Sequence, residues 1–412
     1  MRPSGPEWVE VRRRLNGHRH ELAVAAERLY PGVARAGSTR LLIRDGWIPA
    51  TPLDLREVRL CWVEDAPAAD VTGREPEAAA LLPEGAGAYP DALGTFARPR
   101  LFEDRTCYRL LEVAWPELTF TRARYFDGVS VGEAAAHEFA AHESGAQESG
   151  AQESGAQESG AQESGAHESA ASEGGQPPPF RALVGDPTDL RRRPALCAIS
   201  TLTLRHDRRT GETSFVLHWR DAARVAHGGG LFQVMPVGVF QPAYESAGAE
   251  KADLDLWKCV VREYAEEFLG RGEEYGDGFD YESWPLYRLL TDARADGRVR
   301  SFMLGVGVDP LTFATDFLTV TVLEAETFDA VFGEVAASNS EGQVVGRVPF
   351  DAGTVRRYVR HEPMQAAGAA VLDLAWRHRE ALLQSHARRP RLPIRPRGRS
   401  AEVPPGGPPE KG

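Results

Sequence analysis

The stretch Arg262-Glu-Tyr-Ala-Glu-Glu-Phe-Leu-Gly270 decides the fold that this 412-residue sequence predicts. On a helix, Glu263, Glu266 and Glu267 are three and four positions apart, so their carboxylates share one face. We therefore predict a helix over Asp253–Leu269 with one acidic side and one side that packs into the core. The apolar residues of the second side are Trp257, Val260, Val261, Tyr264 and Phe268.

The acidic side of this helix has two interpretations. Three carboxylates held this close repel one another, by roughly a few tenths of a kcal/mol per exposed pair. A divalent cation such as Mg²⁺ or Mn²⁺ would relieve that repulsion, polarise a phosphoanhydride and lower the pKa of attacking water. Arg262 lies four residues before Glu266, close enough to pair with it. The other interpretation is a solvated acidic face on an ordinary amphipathic helix, which the spacing alone favours.

Strand and helix patterns on both sides of this helix indicate a mixed α/β layer fold. Two β-rich runs, Leu196–Leu204 and Thr213–Trp219, flank the turn His206–Gly211, which predicts a hairpin. A third strand is predicted at Leu231–Val239. Strands before and after a central helix are typical of a mixed sheet covered by helices. The elements predicted after the central helix are a helix at Trp284–Asp296, strands at Arg298–Gly307 and Phe317–Leu323, and a helix at Glu326–Phe332.

Two motifs in this region resemble the Nudix family. Arg262-Glu-Tyr-Ala-Glu-Glu267 matches the second half of the Nudix box, Arg-Glu-U-x-Glu-Glu-x-Gly-U, where U is a bulky apolar residue. Met235-Pro-Val-Gly238 resembles the Leu-Pro-Gly-Gly turn that follows a β-strand in that family. The resemblance implies a Nudix-like α/β/α sandwich with a mixed sheet in the C-terminal half of the chain.

The resemblance also implies roles for individual residues. Glu263, Glu266 and Glu267 fall on the family's metal-ligand positions, where they would hold Mg²⁺ or Mn²⁺ and act as catalytic residues. Arg262 falls on the arginine that buttresses them, and the Pro236–Gly238 turn falls beside the bound ligand. The implied ligand is a nucleotide or another small phosphorylated compound, and the implied reaction is that of a pyrophosphohydrolase.

The sequence departs from the family's pattern in its spacing and at several positions. The segment between Gly238 and Arg262 is longer than in the family, and Val237 replaces a glycine. The position of the box's upstream glutamate is Leu254, between two aspartates. The closing glycine is displaced to Gly270. Two functions therefore stay open: hydrolysis of the ligand, or ligand sensing and regulation without turnover.

A pentapeptide array divides the chain. Ala141-His-Glu-Ser-Gly145 is followed by Ala-Gln-Glu-Ser-Gly units and closed by Ala166-His-Glu-Ser-Ala170. This repeat length matches neither a helix face nor a strand face, and each glycine costs a helix about 1 kcal/mol. We predict a smaller α+β domain at 1–140, a disordered acidic linker at 141–179, the Nudix-like domain at 180–385 and a disordered, basic, proline-rich tail at 386–412.

The predicted α+β domain at the start of the chain contains the usual helix and strand patterns. Apolar residues recur at three- and four-residue steps over Glu7–Tyr30, which predicts one long amphipathic helix. Short strands are predicted at Arg40–Ile43, Val58–Val63 and Leu118–Tyr125, followed by a helix at Val131–Ala141. These patterns contain no catalytic constellation, so the purpose of this domain stays open.

Segments spread over most of the chain carry a second resemblance: His18–Leu22, Leu41–Pro52, Tyr125–Asp127, Ala136–Glu138, Phe232–Pro242 and Asp255–Lys258. Together they are similar to the long C-terminal region of actinobacterial transcriptional regulators that begin with a repressor-type helix-turn-helix. Here Met1–Pro6 leads directly into the first helix, so we expect no helix-turn-helix module and no direct DNA binding. The resemblance implies a regulatory protein as the partner of the first domain.

Composition limits the classes of partner and the compartment. The net charge of −12 and the pI of about 5.5 argue against broad binding to nucleic-acid phosphates. No run approaches the roughly 18 apolar residues that span a bilayer, and Met1–Glu10 has no signal-peptide pattern. Four cysteines without CxxC spacing are expected to be small buried hydrophobes rather than disulfides. We therefore expect a cytoplasmic protein with no membrane partner.

Overall fold

The computed structural model shows a mixed α/β fold that contains two β-sheets. It describes residues 2–99, 102–156, 176–220, 230–246, 248–272, 275–276, 279–333 and 342–384. The predicted tail at 386–412 and the middle of the predicted linker, 157–175, lie outside the described residues.

The elements follow one another along the chain with short connections. The strands are β1 (Ala34–Arg35), β2 (Leu42–Ile43), β3 (Leu53–Asp54), β4 (Arg59–Trp62), β5 (Thr106–Ala114), β6 (Glu117–Arg124), β7 (Cys197–His206), β8 (Thr213–Arg220), β9 (Leu231–Val234), β10 (Val237–Val239), β11 (Val299–Val308), β12 (Thr315–Glu324) and β13 (Gly342–Pro349). The α-helices are α1 (Gly5–Gly17), α2 (Arg19–Glu27), α3 (Pro76–Ala80), α4 (Tyr89–Phe96), α5 (Tyr125–Ala156), α6 (Pro179–Val184), α7 (Ala249–Ala252), α8 (Leu256–Glu263), α9 (Pro285–Ala295), α10 (Ala325–Phe332), α11 (Ala352–Arg360), α12 (Ala366–Arg377) and α13 (Arg379–Leu383). A π-helical turn (Tyr264–Phe268) follows α8, and a 3-10 turn (Tyr281–Ser283) precedes α9.

The larger sheet is mixed and combines strands from both ends of the chain. Its hydrogen-bonded order is β1-β2-β11-β12-β7-β8-β13, with β3 also paired to β11, β10 to β7 and β9 to β8. β7 and β12 run parallel, and their neighbours in this sheet run antiparallel to them. The predicted hairpin is confirmed, because β7 and β8 pair from Leu204 with Phe215 to His206 with Thr213. The smaller sheet has the order β4-β6-β5.

Helices cover both faces of the larger sheet. Alternate side chains of a strand point to opposite faces, and in β7 Leu202 and Leu204 belong to the core cluster of α12. Ile199, on the other face of β7, belongs to the core cluster of α8. Every residue of β11 is buried, as expected of a strand in the centre of a covered sheet. The chain therefore has a sheet between two helical layers.

Two predicted elements are interrupted. The single helix predicted over Glu7–Tyr30 is divided at His18 into α1 and α2, and the glycine that ends α1 is unfavourable inside a helix. The single strand predicted over Leu231–Val239 is divided at Met235 and Pro236 into β9 and β10. Proline has no N–H to donate to a strand ladder, so it is excluded from the middle of a paired strand.

Segments before and after the pentapeptide repeat share one sheet. Leu42 of β2 pairs with Val308 of β11, and Leu53 of β3 pairs with Met303 of the same strand. The sequence predicts these segments as two domains, 1–140 and 180–385, and both contribute strands to the larger sheet.

Helix α5 differs from the prediction for the linker. It continues to Ala156, through the first pentapeptide units, where the sequence predicts disorder. Alanine, glutamine and glutamate are good helix formers. Because the earlier part of α5 is already packed and helical, its extension needs no new helix nucleus.

The described residues agree with two expectations from composition. Among them, no helix combines the length and the apolar character that crossing a bilayer requires. All four cysteines are free thiols, and Cys107, Cys197 and Cys259 are buried as expected. Burial raises the pKa of Cys107 to about 12, so its thiol stays protonated and unreactive.

Candidate functional site

The helix that carries the predicted site begins with a side-chain cap. Asp255 accepts hydrogen bonds from the backbone N–H groups of Trp257 at 2.7 Å and Lys258 at 3.1 Å. The sequence predicts one α-helix over Asp253–Leu269, but the α-helix ends at Glu263 and a π-helical turn follows it. Such turns are rare and are frequently found at functional sites.

Two of the three predicted acids contact the Met235–Gly238 bend. Glu267 is 7% exposed and accepts a hydrogen bond from the backbone N–H of Val237 at 3.2 Å. The carboxylate of Glu263 lies directly against Gly238. Glu263 and Glu266 are half-buried, so their side chains are partly accessible to solvent. The bend and the acidic face of the helix therefore lie together.

The contact at Gly238 is close enough to exclude any side chain there. A Cβ atom at this position would lie 1.9 Å from Cδ of Glu263 and 2.0 Å from its Oε1. Non-bonded atoms cannot approach so closely, so the position of the carboxylate depends on the glycine. The backbone of Gly238 is itself fixed, because it pairs with Ile199 in the antiparallel ladder of β10 and β7.

Arg262 makes a buried ion pair that the sequence does not predict. Its side chain is 4% exposed, and its Nη1 donates to Oδ2 of Asp253 at 2.7 Å. Nη2 donates to the backbone oxygen of Gln241 at 2.6 Å, and Nη1 also donates to the hydroxyl of Tyr281. The predicted pair with Glu266 is therefore replaced by a pair with Asp253. Side chains on a helix lean toward its N-terminus, so this guanidinium reaches the residue before α8 rather than the next turn.

Aromatic side chains border the site on the side of Glu266. The rings of Tyr275 and Phe279 are 4.8 Å apart, and those of Phe279 and Trp284 are 5.4 Å apart. Burial raises the pKa of Tyr275, and the negative charge of Glu266 raises it further. Burial also raises the pKa of Tyr281, although Arg262 opposes this shift. Both phenols are therefore neutral near pH 7.

The three glutamates do not form a preformed metal site. Among the described residues, no group of three or more His, Cys, Asp or Glu side chains is arranged to hold a metal ion. The carboxylate oxygens of Glu263, Glu266 and Glu267 are nevertheless the kind of ligand that Mg²⁺ and Mn²⁺ prefer. Mg²⁺ is usually held by one or two carboxylates together with substrate phosphates and water. The donor set thus fits an ion that arrives with a phosphorylated ligand.

Sequence reasoning missed two features. The first is the role of Asp253, although the aspartates on either side of Leu254 were a usable signal. The second is a cavity of about 50 Å³ elsewhere in the molecule, lined in part by Arg40 and Met364. Arg40 donates to the backbone oxygen of Met364, 324 positions away, and no sequence pattern reports such a contact.

Comparison with known proteins identifies no relative. No family model matches the chain, and a search of curated proteins found no similar sequence. The function is therefore inferred from the residues of the chain itself.

Proposed function

We propose that this chain is a Nudix-like protein that binds a nucleotide or another phosphoanhydride ligand together with a divalent cation. The observation that carries the proposal is the contact between the acids and the bend. Glu263 lies against Gly238, and Glu267 accepts from the N–H of Val237. The family resemblance requires these two motifs to meet. Helices on both faces of a mixed sheet support the Nudix-like sandwich.

The acids differ in what they can contribute to binding. Glu263 and Glu266 are half-buried, so they can exchange solvent for a cation without a change of fold. Glu267 is buried and holds the bend through one carboxylate oxygen, which leaves its second oxygen for a cation. A bound Mg²⁺ or Mn²⁺ would neutralise phosphate charge and activate water. The role of Arg262 is to fix the helix through its pair with Asp253.

The aromatic border supports a nucleotide as the ligand. Tyr275, Phe279 and Trp284 are half-buried, and their rings pack edge to face against one another. Partly exposed rings beside an acidic site offer apolar faces on which a nucleobase can stack. We infer that the phosphates lie at the glutamates and the base lies toward these rings.

A second candidate function is ligand sensing without turnover. It is favoured by the hydrogen bond that ties the buried Glu267 to Val237. It is favoured also by the described residues holding no preformed metal cluster. In that case the ligand binds and is released unchanged, and the N-terminal segment contacts a regulatory protein partner. The two candidates share one binding site and differ only in chemistry.

An assay of the whole chain separates these candidates. A panel of nucleoside diphosphate derivatives and dinucleotides is tested with Mg²⁺ or Mn²⁺ for both phosphate release and binding heat. Turnover that is abolished by Glu266→Gln and by Glu267→Gln supports the enzyme, and saturable binding without turnover supports the sensor. Glu282→Gln, on an exposed glutamate, is the matched control. Neither binding nor turnover with any compound would refute both.

A gel-shift experiment tests the regulatory part of the proposal. We expect no sequence-specific shift of genomic DNA fragments, because the net charge is −12 and no recognition-helix pattern was found. A specific shift that survives competitor DNA would contradict this expectation. Pull-down of a single protein through residues 1–140 would support the partner role.

A further inference from the structure

A cavity outside the proposed nucleotide site is lined by residues from distant parts of the chain. Its volume is about 50 Å³, which is room for roughly four water-sized spheres. The lining comes from α2, the segment before β2, the turn between β11 and β12, and the start of α12. Its polar side chains include His20, Arg40, Asp309, Thr312, Asp316 and Gln365.

Arg40 brings a positive charge to this cavity. It is half-buried, its Nη1 donates to the backbone oxygen of Met364 at 3.3 Å, and the same atom lies 3.5 Å from Nδ1 of His20. Within the described part of the chain, no carboxylate forms an ion pair with it. The other guanidinium in the lining, that of Arg19, is paired with the buried Glu133 at 3.1 Å. Arg40 is therefore the cation that an incoming anion meets.

Asp316 brings a carboxyl group to the same cavity. It is 7% exposed, and the hydroxyl of Ser200 donates to its Oδ1 at 2.8 Å. No described residue donates to Oδ2. Burial raises the pKa of Asp316 to about 7, although the hydrogen bond from Ser200 lowers it and the nearby Asp309 raises it. A ligand that donates a hydrogen bond to Oδ2 would satisfy the second oxygen and stabilise the charged form.

The first turn of α12 adds backbone donors. Gln365 is the N-cap of this 12-residue helix and makes no side-chain capping hydrogen bond. Gln365, Ala366 and Ala367 all line the cavity. A negative group is stabilised at a helix N-terminus by the free N–H groups and the helix dipole. The buried Gln233 donates to Oε1 of Gln365 at 2.8 Å and so fixes the side chain at the entrance to the helix.

We propose that this cavity binds a small α-amino acid, with its carboxylate against Arg40 and the first turn of α12 and its ammonium group against Asp316. Both charges of such a ligand have a counterpart in the lining. Ala23, Leu311 and Ala366 supply apolar surface for a short aliphatic side chain. Glycine and alanine are close in size to a cluster of about four water molecules, which is the room present. This site is separate from the proposed nucleotide site and does not depend on it.

Titration calorimetry on the full chain tests the proposal with four probes: glycine, L-alanine, acetate and methylamine. We expect saturable binding of glycine or alanine, weaker binding of acetate, and no binding of methylamine. Arg40→Gln should weaken glycine and acetate by roughly tenfold or more, since each loses a charge-assisted hydrogen bond. Asp316→Asn should weaken glycine similarly and leave acetate unchanged. Arg44→Gln and Asp292→Asn, on exposed side chains, are the matched controls.

A further variant protects the test against misfolding. Gln365→Glu keeps an oxygen acceptor for Gln233 and adds a charge that suits a helix N-terminus, so it should fold. It should weaken glycine and acetate alike, because its carboxylate competes with theirs for Arg40. Equal affinity of the unaltered chain for glycine and acetate, or no saturable binding of any probe, would overturn the proposal.

Discussion

Replacing Gly238 with alanine tests whether the bend and the acids form one unit. The new Cβ would lie 1.9 Å from Cδ, 2.0 Å from Oε1 and 2.3 Å from Oε2 of Glu263, so the carboxylate must move. Overpacking typically costs about 1–3 kcal/mol. Alanine regains about 0.4–1 kcal/mol by restricting the unfolded chain. The obstructing atoms end a flexible side chain, so we expect a net loss of about 1 kcal/mol in the free energy of unfolding.

A double-mutant cycle measures this contact directly. Urea unfolding, followed by tryptophan fluorescence, is compared for Gly238→Ala, Glu263→Ala and the double variant. Without the Glu263 carboxylate the clash is absent, so Gly238→Ala should then be neutral or slightly stabilising. Gly346→Ala is the matched control, because a Cβ there meets nothing within 4 Å. An equal cost of Gly238→Ala with and without Glu263 would refute the contact and weaken the proposed site.

Three further predictions concern buried charges. Glu133→Gln should lower the free energy of unfolding by about 3–5 kcal/mol, because Arg12 then loses its buried counter-charge. Arg262→Met should cost a similar amount, since it leaves Asp253 buried without its cation, and a loss under about 1 kcal/mol would contradict the role of this pair. Asp316→Asn should change the pH dependence of stability. The folded pKa of about 7 lies above the unfolded value of 3.8, so the folded state keeps a proton that the unfolded state has lost. Stability should therefore fall as the pH rises from about 4 to about 7, and the asparagine variant should lack this part of the fall.

The strongly patterned strands and helices of this fold could be predicted from sequence. The strand predicted at Arg298–Gly307 is β11, Val299–Val308, and the helix predicted at Trp284–Asp296 is α9, Pro285–Ala295. These segments are apolar runs or helical repeats bounded by turn residues, and such patterns depend only on neighbouring positions. The hairpin of β7 and β8 was visible for the same reason.

Features that depend on distant parts of the chain could not be predicted. Helix α12 is buried on nearly all of its sides, so it shows no amphipathic stripe in the sequence. The pairing of β2 and β3 with β11 joins positions more than two hundred residues apart. At the site, the spacing of the glutamates predicted a shared face. It could not predict the π-helical turn or the partner of Arg262, because both depend on the packing around them.

The pairing of β2 and β3 with β11 has a consequence for how the chain can be divided. A chain shortened to residues 180–385 would leave an edge of β11 with unpaired N–H and C=O groups, which invites aggregation. A cut within the repeat would instead yield two fragments that complete one sheet between them. Such fragments should regain the native structure only when mixed, so the two halves behave as complementing pieces of one folding unit.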